Sequence, residues 1–131
     1  MIKEGKIGKK AKILIVDDDQ GIQNLLLKFF KEKGYTDIRD AATGKEAILK
    51  VQEDIPNVVL LDLRLPDMDG REVLVKIKEI NKDIPVIIIT GYADLEIARN
   101  ILKEGACDFV VKPFDLDYLE KSVLTKTFFL E

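Results

Sequence analysis

Short apolar runs rich in β-branched residues alternate five times with segments of helical periodicity, and this alternation constrains the fold more than any other feature. The runs lie at 12–17, around 38–42, and at 57–62, 84–90 and 107–111. Between them, apolar residues recur at the i, i+3, i+4, i+7 spacing of a helix with one buried face. The first helical segment carries Ile22, Leu25, Leu26, Phe29 and Phe30, with Asp19 placed to cap its start and Gly34 its stop. In the second, Thr43 and Glu46 have capping-box spacing ahead of Ala47, Ile48 and Val51. Val73, Leu74, Ile77 and Ile80 mark the third, and Leu95, Ala98, Ile101 and Leu102 mark the fourth, which stops at Gly105. Asp115 can cap the fifth, with Leu116, Leu119, Val123 and Leu124 on its inner side. Five β/α units in one small domain predict an open parallel sheet with helices on both faces, because near-continuous apolar strands must be covered on both sides.

Composition narrows the chemistry. The 131 residues are enough for one domain with its own core. No apolar run approaches the roughly 20 residues of a membrane-spanning helix, and no N-terminal run suits a signal peptide, so a cytoplasmic location is expected. The chain has no histidine, which excludes Ser-His triads, histidine metal ligands and phosphohistidine formation within it. Its single cysteine, Cys107, permits neither an internal disulfide nor a cysteine zinc site. A net charge of -3 argues against nucleic-acid binding by the domain. The clustered Lys3, Lys6, Lys9, Lys10 and Lys12 fall mostly in a basic N-terminal arm, read as a solvated tail. The expected layout is an arm over 1–11, a domain over 12–126, and a tail or truncated linker over 127–131.

In open α/β sheets, sites form beyond the carboxyl ends of the strands. There the first run ends in Asp17, Asp18 and Asp19, the third in Asp62, the fourth in Thr90 and Gly91, and the fifth in Lys112. Taken singly, each has an ordinary explanation: an aspartate after a strand is a turn or cap residue, a lysine before proline a surface charge, a threonine a β-former. Those explanations do not account for all four strand ends coinciding. Gathered carboxylates repel and must protonate or share a cation. With oxygen donors alone the cation is hard, namely Mg²⁺, Mn²⁺ or Ca²⁺, and a partly filled carboxylate cage with room for a phosphate favours Mg²⁺. A lysine and a threonine hydroxyl facing that place suit phosphoryl oxygens, and one carboxylate is left to act as nucleophile. Spacing alone does not say which aspartate accepts.

Four segments carry a family resemblance: ILIVDDD at 13–19, VLLDLRLPDMDG at 59–70, IITGY at 88–92 and FVVKPF at 109–114. In that order, each at its strand end, they resemble the receiver domain of two-component response regulators, over about 12–124. The resemblance implies a flavodoxin-like (βα)5 doubly wound α/β fold with a parallel five-stranded sheet in the order 2-1-3-4-5. It implies that Asp62 is the phosphoacceptor, and that Asp17, Asp18, Asp62 and the backbone carbonyl of Arg64 hold Mg²⁺, or Mn²⁺ in its place. Thr90, Gly91 and Lys112 are implied as phosphate-binding residues and Phe109 as the switch aromatic. Pro113 is expected to follow a cis bond, and Pro66 and Gly70 to shape the loop beyond the acceptor. The implied donor is a sensor histidine kinase or histidine phosphotransfer protein. The implied output is the face made by the fourth helix, fifth strand and fifth helix, which also suits a homodimer. The chain is then either a stand-alone regulator or part of a longer protein, and is not a turnover enzyme.

Two large residues, Arg64 and Tyr92, are expected to flank the path of a hydrolytic water and to slow loss of the phosphoryl group. Two other readings compete with this one. A haloacid-dehalogenase-like phosphatase would use Asp17 as nucleophile and Asp19 as acid, but Gly21 departs from its pattern and no cap or β-flap segment is evident. A degenerate receiver acting only through protein contacts would lack some of the required side chains, whereas all are present.

Overall fold

The computed structural model describes residues 10–91 and 94–127. Most of the basic arm, Tyr92 and most of the C-terminal tail lie outside the described residues. Five strands, β1 (Lys12–Val16), β2 (Asp37–Ala41), β3 (Val58–Asp62), β4 (Val86–Thr90) and β5 (Asp108–Val111), alternate with five helices. These are α1 (Gln20–Glu32), α2 (Gly44–Glu53), α3 (Gly70–Ile80), α4 (Leu95–Leu102) and α5 (Leu116–Thr127). All strand pairings are parallel and the order is β2-β1-β3-β4-β5, as expected for the flavodoxin-like fold. Every residue of β3 and β4 is buried. This explains why these two runs read as continuously apolar rather than alternating.

Alternate strand residues feed two cores. On one face Leu14, Val59, Leu61 and Ile88 pack beneath α2, α3 and α4. On the other Ile13, Ile15, Leu60 and Ile87 pack beneath Leu26 and Phe30 of α1 and Leu119 and Val123 of α5. Each fully buried aliphatic side chain contributes on the order of 1.5–3 kcal/mol. The sheet is therefore a rigid plate, and its carboxyl edge is a fixed reference for the residues placed there.

The helix boundaries follow the caps. Asp19 accepts from the backbone N–H groups of Gly21 and Ile22 at 2.9 and 3.2 Å, opening α1. Gly34 takes φ 100° beyond the end of α1 and Gly105 takes φ 121° beyond α4, the left-handed stops that favour glycine. Asp115 accepts from the N–H groups of Asp117 and Tyr118 at the start of α5. The box at α2 is displaced by one residue. Thr43 accepts from Glu46 N–H at 3.0 Å, but the Glu46 carboxylate takes the N–H of Ala42 rather than of the cap residue itself. The side chain thus ties the end of β2 to α2.

One residue of the apolar stripe on α1 departs from expectation. Leu25 is 45% exposed, while Gln23 is buried in line with Leu26 and Phe30. The inner stripe of α1 begins with a polar residue, and that residue serves the carboxyl edge of the sheet.

Candidate functional site

The end of β1 is built around a buried charge. Asp17 is fully buried, and its Oδ1 accepts the N–H of Asp19 at 2.9 Å. Gln23 reaches back from α1 and donates Nε2 to the carbonyls of Asp17 and Ala41, at 2.6 and 2.9 Å. This fixes the β1–α1 connection against the end of β2. The sequence signal for Gln23 was present but unread: a polar side chain on the inward stripe of an amphipathic helix has to satisfy buried backbone.

Asp62 closes β3 and is 5% exposed. Its Oδ1 accepts the N–H of Arg64 at 3.1 Å, and its Oδ2 accepts from Lys112 Nζ at 3.1 Å. Lys112 also lies 3.1 Å from Asp17 Oδ2, so one ammonium bridges two buried carboxylates. Asp17, Asp18 and Asp62 each present a carboxylate oxygen within 4.8 Å of the other two, with Asp18 on the exposed side. The phosphatase pairing of Asp17 with Asp19 is not what the fold builds: Asp19 Oδ1 is engaged as a helix cap, and Asp62 joins Asp17 instead.

Electrostatics follow from burial. Desolvation pushes the Asp62 carboxyl up to about 6, with the Asp17 charge adding to it; the Arg64 N–H and the Lys112 ammonium pull the other way. Burial alone would lower the Lys112 ammonium, but Asp17 and Asp62 together outweigh it and hold Lys112 above its ordinary value. A single lysine does not compensate three carboxylates. Asp17 Oδ2 is buried and receives no well-directed hydrogen bond, despite the nearby ammonium. Three carboxylates drawn together with one ammonium between two of them, and no imidazole or thiolate in the cluster, fit a hard divalent cation such as Mg²⁺.

The loop after β3 carries Pro66 on its exposed rim and is pulled tight at its base. Gly70 donates its N–H to the Leu63 carbonyl at 3.0 Å, and an antiparallel bridge joins Arg64 to Asp69. A Cβ on Gly70 would lie 2.6 Å from Leu63 Cα and 3.0 Å from the Asp62 carbonyl oxygen, so only glycine permits this closure. Asp67 places its two carboxylate oxygens on the N–H groups of Gly44 and Lys45, at 2.8 and 2.9 Å. The loop is thereby pinned to the start of α2.

Thr90 ends β4, fully buried, with its Oγ1 donating to the Gly91 carbonyl at 3.2 Å. Among the described residues, leaving aside its chain neighbours, nothing lies within 4 Å of where a Cβ on Gly91 would stand. Phe109 is half-buried and packs against the core beneath α4. The Lys112–Pro113 bond is cis, as expected. Arg64 does not lie free beside Asp62. Its guanidinium binds Asp94 at the start of α4 through two bonds of 2.6 and 2.7 Å. Asp94 was not singled out from the sequence, where an acidic residue ahead of a helix reads as a cap; in the fold it occupies the cap position but makes no capping bond.

Comparison with known proteins agrees with this geometry. The family model for the response regulator receiver domain matches residues 13–124. Sporulation initiation phosphotransferase F of Bacillus subtilis is 42% identical over 112 residues, covering 86% of this chain and 90% of that protein. The transcriptional regulatory protein ZraR of Klebsiella oxytoca is 40% identical over 113 residues, which span 86% of this chain but only 25% of ZraR. Among solved structures, a receiver domain protein of Clostridium thermocellum superposes with a TM-score of 0.84 at 29% identity, covering 89% of this chain and 94% of its own. The receiver domain of a Luxo repressor protein described as putative, from Vibrio parahaemolyticus, gives 0.81 at 35% identity over 90% of each chain. With its strand order, its carboxyl-edge aspartates and a family match across most of its length, the chain belongs to the response regulator receiver domain family.

Proposed function

We propose that this receiver domain, spanning about 12–126, accepts a phosphoryl group on Asp62 from a phosphohistidine of a sensor histidine kinase or histidine phosphotransfer protein. The observation that carries the reading is the buried Asp62 carboxylate, clustered with Asp17 and Asp18 and touched by Lys112 at 3.1 Å. In the transfer, a carboxylate oxygen of Asp62 forms a bond to phosphorus while the bond from phosphorus to the donor imidazole nitrogen breaks. The imidazole leaves with the electron pair and takes up a proton. The donor histidine belongs to the partner, since this chain has none.

Receiver domains bind Mg²⁺ through acidic residues. Here Asp17, Asp18, Asp62 and the Arg64 carbonyl would hold it, with Mn²⁺ able to substitute. The cation supplies charge neutralisation between carboxylates and incoming phosphoryl oxygens. Lys112 holds its ammonium where a phosphoryl oxygen arrives, and the N–H of Arg64 orients the acceptor carboxylate. Gly91 leaves room beside the site. Thr90, whose hydroxyl is engaged only with the adjacent carbonyl of Gly91 among the described residues, can turn toward the new oxygens. Space vacated by Thr90 admits Phe109, carrying the change to the face made by α4, β5 and α5. That face serves partners or a second copy of the chain. The domain is a signalling element rather than a turnover enzyme, acts in the cytoplasm, and does not itself bind nucleic acid or membrane. No helix among the described residues is long and apolar enough to cross a membrane.

Intact mass after treatment with acetyl phosphate or phosphoramidate tests the reading. Wild type with Mg²⁺ is expected to gain one phosphoryl group, and Asp62→Asn or excess chelator to abolish the gain. A gain that survives Asp62→Asn would move the chemistry to Asp17 or Asp18.

A further inference from the structure

Arg64 is attached to the acceptor by its backbone and to α4 by its side chain. Its N–H donates to Asp62 Oδ1 at 3.1 Å, while Nε and Nη2 donate to Asp94 Oδ2 and Oδ1 at 2.6 and 2.7 Å. These two parallel bonds are the fork geometry in which guanidinium and carboxylate fit best. The two partners differ sharply in surroundings. The Asp94 side chain is 6% exposed and the Arg64 side chain 75% exposed. Among the described residues, no other donor reaches the Asp94 carboxylate. A groove of about 510 Å³ bounded by Leu65, Met68, Asp94 and Ile97 runs beside the pair, so the guanidinium has room to swing.

This asymmetry decides what happens if the pair opens. The guanidinium is already largely hydrated and leaves at small cost. A buried carboxylate stripped of its counter-charge is costly, so Asp94 must reach water, and the first turn of α4 must move with it. The anion able to draw the guanidinium away is near at hand. Asp94 foremost, and Asp62 to a lesser degree, already hold the guanidinium above its ordinary pKa. A phosphoryl group on Asp62 replaces the single carboxylate charge with roughly -1.5 to -2 and presents three acceptor oxygens in a form that suits a guanidinium fork.

We propose that Arg64 and Asp94 form a latch, closed while Asp62 is a free carboxylate and opened when its phosphoryl group draws the guanidinium away, releasing the start of α4. The proposal rests on Asp62 being the acceptor. It gives the Arg64 side chain a partner in each state and makes Asp94 a positioning residue for the β4–α4 connection.

The test compares backbone amide spectra of Leu95–Leu102 in wild type, with and without phosphorylation by phosphoramidate and Mg²⁺, and in unphosphorylated Asp94→Asn. The variant signals are expected to lie displaced along the line joining the two wild-type states. The variant is expected to be phosphorylated about threefold faster or more, because the closed state no longer opposes the change. Signals at the unphosphorylated wild-type positions, or displaced off that line, overturn the latch. Should Asp94→Asn fail to fold, the Arg64 Nε–H resonance of wild type gives the answer: it is expected to shift on phosphorylation and to lose its contact with the Asp94 carboxylate. An unchanged resonance in protein whose mass shows one phosphoryl group overturns the latch alone, whereas no gain of mass overturns the acceptor reading and the latch with it.

Discussion

The β3–α3 and β4–α4 connections leave adjacent strands at the same edge of the sheet, yet they are held in opposite ways. The first is fixed at several points. Gly70 closes it onto Leu63, the Arg64–Asp69 bridge narrows it, and Asp67 binds it to the start of α2. Met68 lies so close over Gly44 that a Cβ there would collide with its side chain. The second has open space at Gly91, a threonine bonded to its own neighbour, and the Arg64–Asp94 ion pair. A domain that must accept a group at one point and report it at another needs this division. On the proposed reading, Asp62 has to stay in register with Asp17 and Asp18, and the connection beside it has to have a second arrangement at small cost.

Disturbing the fixed side is expected to have the largest effect. Gly70→Ala sets a Cβ against backbone rather than against a pliable side chain, so the acceptor loop itself must shift. A loss of about 3 kcal/mol in urea unfolding is expected. Phosphoryl acceptance from a small donor is expected to fall on the order of 100-fold, as for a displacement of about 1 Å at a reacting group. Normal acceptance in Gly70→Ala would show that the loop is less constrained than its contacts indicate.

The next effect follows from the charge that the fixed side holds. Asp62 is raised from its ordinary 3.8 to about 6, chiefly by burial. Well below pH 3.8 the carboxyl is neutral in both folded and unfolded chains and costs nothing. As pH rises toward 6, the unfolded chain ionises freely and the folded chain does not, so stability is lost across that window. In chelator at pH 7, Asp62→Asn is therefore expected to be more stable than wild type. The interval from 3.8 to about 6 corresponds to about 3 kcal/mol, a net figure in which the opposing pull of Lys112 is already included. Unfolding curves from pH 4 to 7 should show the gain growing with pH. A gain independent of pH would mean that burial of Asp62 is not its cause.

The same contrast separates what the sequence disclosed from what it did not. Asp17, Asp18, Asp62, Thr90 and Lys112 were legible because each follows a run whose apolar character marks a buried parallel strand, and parallel strands bring their carboxyl ends to one edge. Gly70 was legible as part of a dense turn, though its contact with Leu63 was not. Gln23 and Asp94 were missed. Both act on residues distant in sequence, Gln23 on the Ala41 carbonyl and Asp94 on Arg64, and local pattern assigns each a local role: one a helix-face residue, the other a cap. Leu25 was placed on the inner face of α1 because the helical spacing admits either side of a broad stripe; only the packing of Leu26 and Phe30 against the sheet settles which side turns inward.

The smallest expected effect concerns Asp67, five residues beyond Asp62 on the same loop and opposite to it in sign. The Asp67 carboxylate is exposed and accepts the N–H groups of Lys45 and Gly44, which lower its pKa below the ordinary carboxylate value. A depressed carboxylate contributes stability that is present above its unfolded pKa and lost as pH falls through the folded one. Asp67→Asn keeps one accepting oxygen but loses the charge at the start of α2. A modestly lower urea midpoint at pH 7 is expected, with the variant and wild type converging as pH falls below 4. The two aspartate variants should thus diverge from wild type in opposite directions as pH rises, Asp62→Asn upward and Asp67→Asn downward. If Asp67→Asn instead matches wild type at pH 7, the loop is held by Gly70 and the Arg64–Asp69 bridge alone, and its tie to α2 is not part of what keeps the acceptor in place.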